Sequence, residues 1–544
     1  MEYFSKKIEF SLLKNHILKD PLCDWFEIQS HLYQKFKKDD ESYYKNHILT
    51  TSNKYREDLF KDIIKKSKLN LKLNNTIDQT TTHIKNNDPL IIGAKLYNPS
   101  KNMITYCDIV IRYDFFKKLF PKIDNLPFHI LTNNNNGYLL INVSYSSLHF
   151  KIDLKTILND GNILYKKCSL YAFREALFSL TSHKYPCFLL GKEYYYQKTH
   201  LPKDNFIGYI YFDETITEPY KKAYQWIQNF KKNYKIMNIL PKPTHNELYP
   251  NMNYKESNWE NEKISLANQI KEITLVWNIS YDERCKFLQM GITSWDDSNL
   301  LLNLKETKKK YIQERMIHMN QQNDILIHPR KNISLDFTSR INDLNGIYFD
   351  VESFLSFDEK QNMSTNFELP IIGILGFIYH NKYYDFTIQK YTNHEEKRNI
   401  QNFASKLQKI SNDTTLSIYH WGHAENNYFN YIHLKYPEIS FPNYQLINIL
   451  DYFRTEPIIV QGVFKFGLKS IGSALYKNNL IQTTWGENDN GLDSMIQFKE
   501  ICKANKKNIP LKRYIDIKNI VDYNRIDCQV LYEIVDLLRN KYLY

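Results

Sequence analysis

The chain has 544 residues, 42% hydrophobic and 24% charged, which excludes a disordered or fibrous chain and leaves room for roughly two to four domains. Lys and Arg (72) exceed Asp and Glu (60), a net charge of +12 that favours a polyanionic partner such as nucleic acid, although a Lys-rich codon bias gives the same charge. The seven cysteines, at 23, 107, 168, 187, 285, 502 and 528, include no Cys-x-x-Cys pair, which argues against a zinc site or a disulfide framework. An intracellular, reducing compartment is therefore expected. The N-terminus opens no signal peptide, and the longest apolar run, Leu369 to Tyr379, is too short to span a bilayer, so no membrane partner is expected.

Residues 1–85 read as a Lys-rich helical region, broken near Thr50–Asn53 and Asn74–Thr82. Strands then follow at Leu90–Leu96, Ile104–Arg112 and Tyr138–Tyr145, with a turn at Asn133–Gly137. Lys166–Leu180 has the spacing of an amphipathic helix. This order resembles the PD-(D/E)xK nuclease core of RecB-like proteins, over residues 86–240. In that family one strand carries an Asp, the next carries Asp/Glu-x-Lys, and a helix with Gln and Tyr follows. Asp108 falls on the first Asp and Tyr171 on the helix Tyr, but Asn142-Val143-Ser144 stands at Asp/Glu-x-Lys and Cys168 at the Gln. An amide and a hydroxyl do not replace a metal-binding carboxylate and a lysine, so the resemblance implies a domain without a working site. The alternative register, Asp153-Leu154-Lys155, has the right residue types, but Ser146-Ser147-Leu148 continues the family pattern better from the first register.

Residues 241–262, with Pro241, Pro243 and Pro250, read as a linker. Lys271–Trp277 and Gly291–Asp297 resemble a helix-hairpin-helix-like segment, without the Gly-rich hairpin that would hold a phosphate; residues 241–335 thus form a linker and a small helical segment. Residues 341–544 read as three strands (Ile347–Phe354, Pro370–Tyr379, Lys382–Gln389), a helix (Glu395–Ile410), a strand (Leu416–His420) and a helix (Asn426–Lys435). A strand-like stretch, Gln445–Leu450, ends on Asp451, and a long helix runs from Ile517 to Arg539. This is the order of an RNase H-like mixed sheet flanked by helices, so the fold class expected for the chain is α/β (α+β) multidomain.

Ile347-Tyr348-Phe349-Asp350-Val351-Glu352 leads three apolar residues into two carboxylates two apart. On a strand they share one face, where like charges repel unless a divalent cation lies between them. Two further stretches belong with them. His420-Trp421-Gly422-His423-Ala424-Glu425 follows a strand, and Tyr523 and Asp527, four apart, share a helix face. Together they resemble the DEDDy-type exonucleases, in the variant of the RecB-like nuclease family of large DNA viruses and bacteria, which carries Glu at the position of Glu425. The resemblance implies that Asp350, Glu352, Glu425 and Asp527 hold two Mg2+ or Mn2+ ions and that Tyr523 orients or deprotonates the attacking water. Asp451 and Lys469 are possible extras, as a ligand and as a phosphate contact. The expected function is metal-dependent hydrolysis of phosphodiester bonds, 3′→5′ exonuclease-like, on DNA more than RNA. The alternative is a non-catalytic nucleic-acid-binding or scaffold protein derived from a nuclease.

Overall fold

The computed structural model describes residues 5–127, 137–159, 161–255, 258–322, 325–329, 334–354, 371–486, 491–505 and 511–542. The chain divides into two compact units, residues 1–40 with 48–272 and residues 41–47 with 273–544, each combining helices with a mixed sheet.

The first unit is built on strands β1 (Ile8–Glu9), β2 (Leu90–Asn98), β3 (Met103–Arg112), β4 (Tyr138–Val143), β5 (Cys187–Leu190) and β6 (Gly208–Ile210). Their order is β1-β3-β4-β5-β6, with β2 also paired to β3. The helices are α1 (Leu22–Tyr33), α2 (Tyr43–Ser67, from residue 48 onward in this unit), α3 (Ile77–Lys85), α4 (Ile163–Thr181), α5 (Glu214–Asn233) and α6 (Glu260–Gln269). β4 and β5 are parallel, so the chain must cross over between them, and α4 makes that crossover. Strand alternation gives the sheet two apolar faces. Val110 and Leu140 join Phe173 and Phe230 on one side, while Ile109 and Ile141 join Phe60 and Ile63 of α2 on the other.

Several boundaries differ from the sequence reading. The Thr50–Asn53 break lies inside α2, where packing along the helix overrides the weak propensity of Thr and Asn. Of the Asn74–Thr82 break, residues 77–82 are helical: Thr76 caps α3 in a reciprocal capping box with Gln79. The third strand stops at Val143, and Ser147–Phe150 pairs instead in a small separate sheet with Glu193–Tyr196 and Thr199–Leu201. Of the expected turn at Asn133–Gly137, only Gly137 lies within the described residues. Residues 241–262, read as a linker, belong to the first unit, whose boundary falls after Glu272 rather than at 240. Trp259 stacks on Phe26 with ring centres 5.4 Å apart, and Lys263, just beyond, is buried against Asp20 at 3.0 Å.

In the second unit, α7 (Tyr281–Gln289), α8 (Ser298–Asn303) and α9 (Lys308–Gln321) surround a small apolar cluster that includes Ile273, Phe287, Trp295 and Ile317. A five-stranded sheet follows, from β7 (Ile347–Phe354), β8 (Ile371–Tyr379), β9 (Lys382–Thr387), β10 (Leu416–His420) and β11 (Tyr444–Asn448). The order is β9-β8-β7-β10-β11. β8 is antiparallel to both its neighbours, whereas β10 and β11 run parallel to β7. Helices α10 (Asn393–Ser411) and α11 (Ala424–Lys435) pack Phe403 and Phe429 on Ile347 and Phe349. Beyond α12 (Ile449–Thr455), α13 (Leu468–Lys477) and α14 (Gly491–Ala504), the long α15 (Ile515–Tyr542) packs Leu531 and Val535 on the other face, with Tyr348 and Tyr419. Pro370, expected to open β8, lies outside the described residues. Asp451 does not close a strand; it lies in the first turn of α12. Among the described residues no helix is long and apolar enough to cross a membrane.

Candidate metal centre

The alternation of β7 divides its side chains between the two faces of the sheet. Phe349 joins the core under α10 and α11, so Tyr348, Asp350 and Glu352 point to the side covered by α15. The β7–β8 register shifts after Glu352, an irregularity at the strand end next to the carboxylates. α15 brings Asp527 over this end, and carboxylate oxygens of Asp350, Glu352 and Asp527 all lie within 4.8 Å of one another. Glu425, in the first turn of α11, is buried and bears electrostatically on both Asp350 and Glu352.

The electrostatics follow from that crowding. Burial holds the Asp350 carboxyl well above the usual carboxylate range, and the charges of Asp527, Glu352 and Glu425 push it the same way. Burial also raises Glu352, reinforced by Asp527 and Glu425. A buried cluster of one sign of charge is unfavourable without a counter-ion. Glu425 Oε2 is buried with no hydrogen-bond partner, as are both ring nitrogens of His420, whose Nδ1 lies 3.3 Å from that oxygen. Convergent hard oxygens of Asp350, Glu352 and Asp527 suit a divalent cation such as Mg2+ or Mn2+; Glu425 lies outside that group of three and bears on it electrostatically, with one oxygen unsatisfied.

Two residues that the sequence reading did not single out hold these carboxylates, and Tyr383 backs one of them. The Asn524 amide donates to Asp350 Oδ2 at 2.7 Å, while its own oxygen accepts from the Tyr383 hydroxyl at 2.7 Å. Trp485 Nε1 donates to Asp527 Oδ1 at 2.6 Å. Asn524 reaches the sheet because position 376 is glycine: a Cβ there would overlap Asn524 Oδ1. Asn524 stands three residues before Asp527 on α15, a spacing that puts both on one side of the helix and was visible in the sequence. Tyr523 is half-buried against the same core, one turn before Asp527.

Asp451 is drawn elsewhere. Its Oδ2 accepts from Asn448, which caps α12, and its side chain is half exposed beside His423. Lys469 lies in the first turn of α13.

In the first unit, Asn142 lies beside Asp108 on the neighbouring strand. Asn142 Oδ1 accepts from the Asp108 backbone N–H at 2.9 Å, and Asp108 Oδ2 accepts from Val143 N–H at 2.7 Å. Asp153 of the alternative register is spent on a turn, accepting from the backbone N–H groups of Lys155 and Thr156 at 3.0 and 2.9 Å. Cys168 is buried toward Ile216, and Tyr171 packs against Phe212 and Tyr220. The α4 residue that bears on Asp108 is Lys166, which the sequence reading did not single out. Among the described residues, Asp350, Glu352 and Asp527 form the only group of three or more side chains placed to share a metal ion. Comparison with family models, curated proteins and solved structures found no match to the chain.

Proposed function

We propose that the second unit is a metal-dependent nuclease domain of the RNase H-like, DEDDy exonuclease type, hydrolysing phosphodiester bonds in DNA. The observation that carries this reading is the convergence of Asp350, Glu352 and Asp527 from a strand end and a facing helix, with Glu425 beside them. The sheet order β9-β8-β7-β10-β11, with only β8 reversed against β7, supports the RNase H-like assignment. The net charge of +12 suits a polyanionic substrate.

In this reading Asp350, Glu352, Glu425 and Asp527 hold two Mg2+ or Mn2+ ions. Bound there, the ions would lower the pKa of a coordinated water and neutralise charge on the scissile phosphate. The protein's part is to fix the ligands. Asn524 holds the Asp350 carboxylate and Trp485 holds that of Asp527, so neither must reorganise when substrate arrives. Tyr523 orients the attacking water. The first unit is assigned to the PD-(D/E)xK type without a working metal site, because Asp108 faces an amide and is paired with Arg56.

The test uses DNA and RNA labelled at either end and incubated with the full chain in Mg2+, Mn2+ or EDTA. Metal-dependent release of nucleotides from the 3′ end is expected. Absence of cleavage with every metal and substrate would favour a non-catalytic binding protein instead.

A further inference from the structure

Asp108 is surrounded by more positive charge than one carboxylate neutralises. Arg56 of α2 forms an ion pair with its Oδ1, and Lys166 of α4 lies within electrostatic reach of Asp108, Arg56 and Lys14. The adjoining Asn142 and Ser144 are buried and neutral. The carboxylate is already used, one oxygen by Arg56 and the other by Val143 N–H at 2.7 Å. The cations are only partly satisfied. Arg56 Nε is buried without a partner, and among the described residues the only hydrogen bond of the Lys166 ammonium is a long one, 3.4 Å, to the Val143 carbonyl. Burial lowers the Lys166 pKa, against the pull of Asp108. Desolvating a cation with no anion of its own is costly, and the cost is recovered when an anion arrives.

We propose that this cluster is a phosphate seat, in which Arg56 and Lys166 grip a phosphodiester group of a nucleic acid without any divalent metal. The adjoining surface favours a strand over a lone phosphate. Tyr55, next to Arg56, lies 5.5 Å from Tyr145 between ring centres. The Lys203 ammonium lies 4.8 Å from the Tyr55 ring centre and that of Lys192 lies 4.9 Å from the Tyr145 ring centre. Aromatic rings interleaved with lysines suit a single strand, whose bases stack and whose backbone is anionic.

The proposal does not depend on the carboxylate centre of the second unit. It is therefore tested in EDTA, where a nuclease of that type is silent, by fluorescence anisotropy of the full chain with labelled single-stranded DNA. Lys166→Gln should weaken binding about tenfold and flatten its dependence on salt by roughly one phosphate contact. Asp108→Asn should tighten binding several-fold, because it frees Arg56 while preserving an acceptor for Val143 N–H. The opposite signs keep the test decisive even if one variant folds poorly. Unchanged affinity in both variants would overturn the seat. So would a loss of binding in Asp108→Asn together with a gain on adding Mg2+ to the unmodified chain, the behaviour of a metal site. Competition by pyrophosphate with no binding of DNA would overturn the choice of a nucleic acid.

Discussion

Asn524 Nδ2 sits 2.7 Å from Asp350 Oδ2, so a helix amide holds the carboxylate of a strand 174 residues earlier in the chain. The approach is close because Gly376 leaves space on β8 and Tyr383 fixes the far side of the amide. Removing such an outer partner of a metal ligand typically costs about 10- to 100-fold in metal affinity. Asn524→Ala should show a loss on that scale by calorimetric titration with Mn2+. Gly376→Ala should do the same and also destabilise the fold by about 1–3 kcal/mol, since it overfills a packed contact. Denaturant unfolding separates the two effects. Wild-type Mn2+ affinity in both variants would remove Asn524 from the site.

Asp350→Ala should abolish metal-dependent cleavage with the fold intact, because it removes a shared ligand and relieves charge repulsion. A loss on the order of 100-fold or more is expected, the scale at which single electrostatic elements of active sites act. Tyr523→Phe should slow cleavage less, roughly 10- to 100-fold, in keeping with a group that only handles the water. Single-turnover rates with labelled DNA make the comparison. Full activity in Asp350→Ala would remove the carboxylates from the reaction.

Glu425 and Asp451 should behave oppositely, although both are acidic residues in the first turn of a helix. Glu425 is buried with an unsatisfied oxygen, while Asp451 is half exposed and already bonded to Asn448. Glu425→Gln should therefore lose Mn2+ affinity and activity together. Asp451→Asn should change neither by more than about twofold, since surface substitutions away from special contacts are usually within about 0.5 kcal/mol. Equal losses would mean that Asp451 shares the metal.

The strand bearing Asp350 and Glu352 was legible because an apolar run leads into two carboxylates two apart, which share one face of a strand. Asp527 was legible through its spacing from Tyr523 on a long helix. Asn524 and Trp485 were not singled out, since hydrogen bonds between distant segments leave no periodic trace. Residues 241–262 misled for a related reason. Proline and asparagine mark irregular backbone, but Leu248, Tyr249, Met252 and Trp259 of this stretch, and Lys263 just beyond it, are buried. In the first unit Asp108 and Asn142 were named through a family resemblance, whereas Lys166 depended on how α4 crosses the sheet.

The raised Asp350 and Glu352 pKa values have a sign that can be checked. A carboxyl whose folded pKa exceeds its unfolded value holds its proton longer in the folded state. Without metal, stability should therefore fall as pH rises from the ordinary carboxylate range, about 4, through the raised folded values. Saturating Mn2+ replaces those protons, so the gain in Tm should grow with pH. At a hundred times Kd the gain corresponds to about 2.7 kcal/mol. Asp350→Asn should be more stable than the unmodified chain without metal and should lose most of the metal response. A Tm that ignores both pH and Mn2+ would contradict this electrostatic account.

Crystals of the full chain soaked in Mn2+ and measured at its absorption edge test the central claim most directly. The account predicts anomalous peaks between the carboxylates of Asp350, Glu352, Glu425 and Asp527, and none at Asp108, where Arg56 and Lys166 already supply positive charge. Empty density among those four carboxylates, or a strong peak on Asp108 instead, would contradict it.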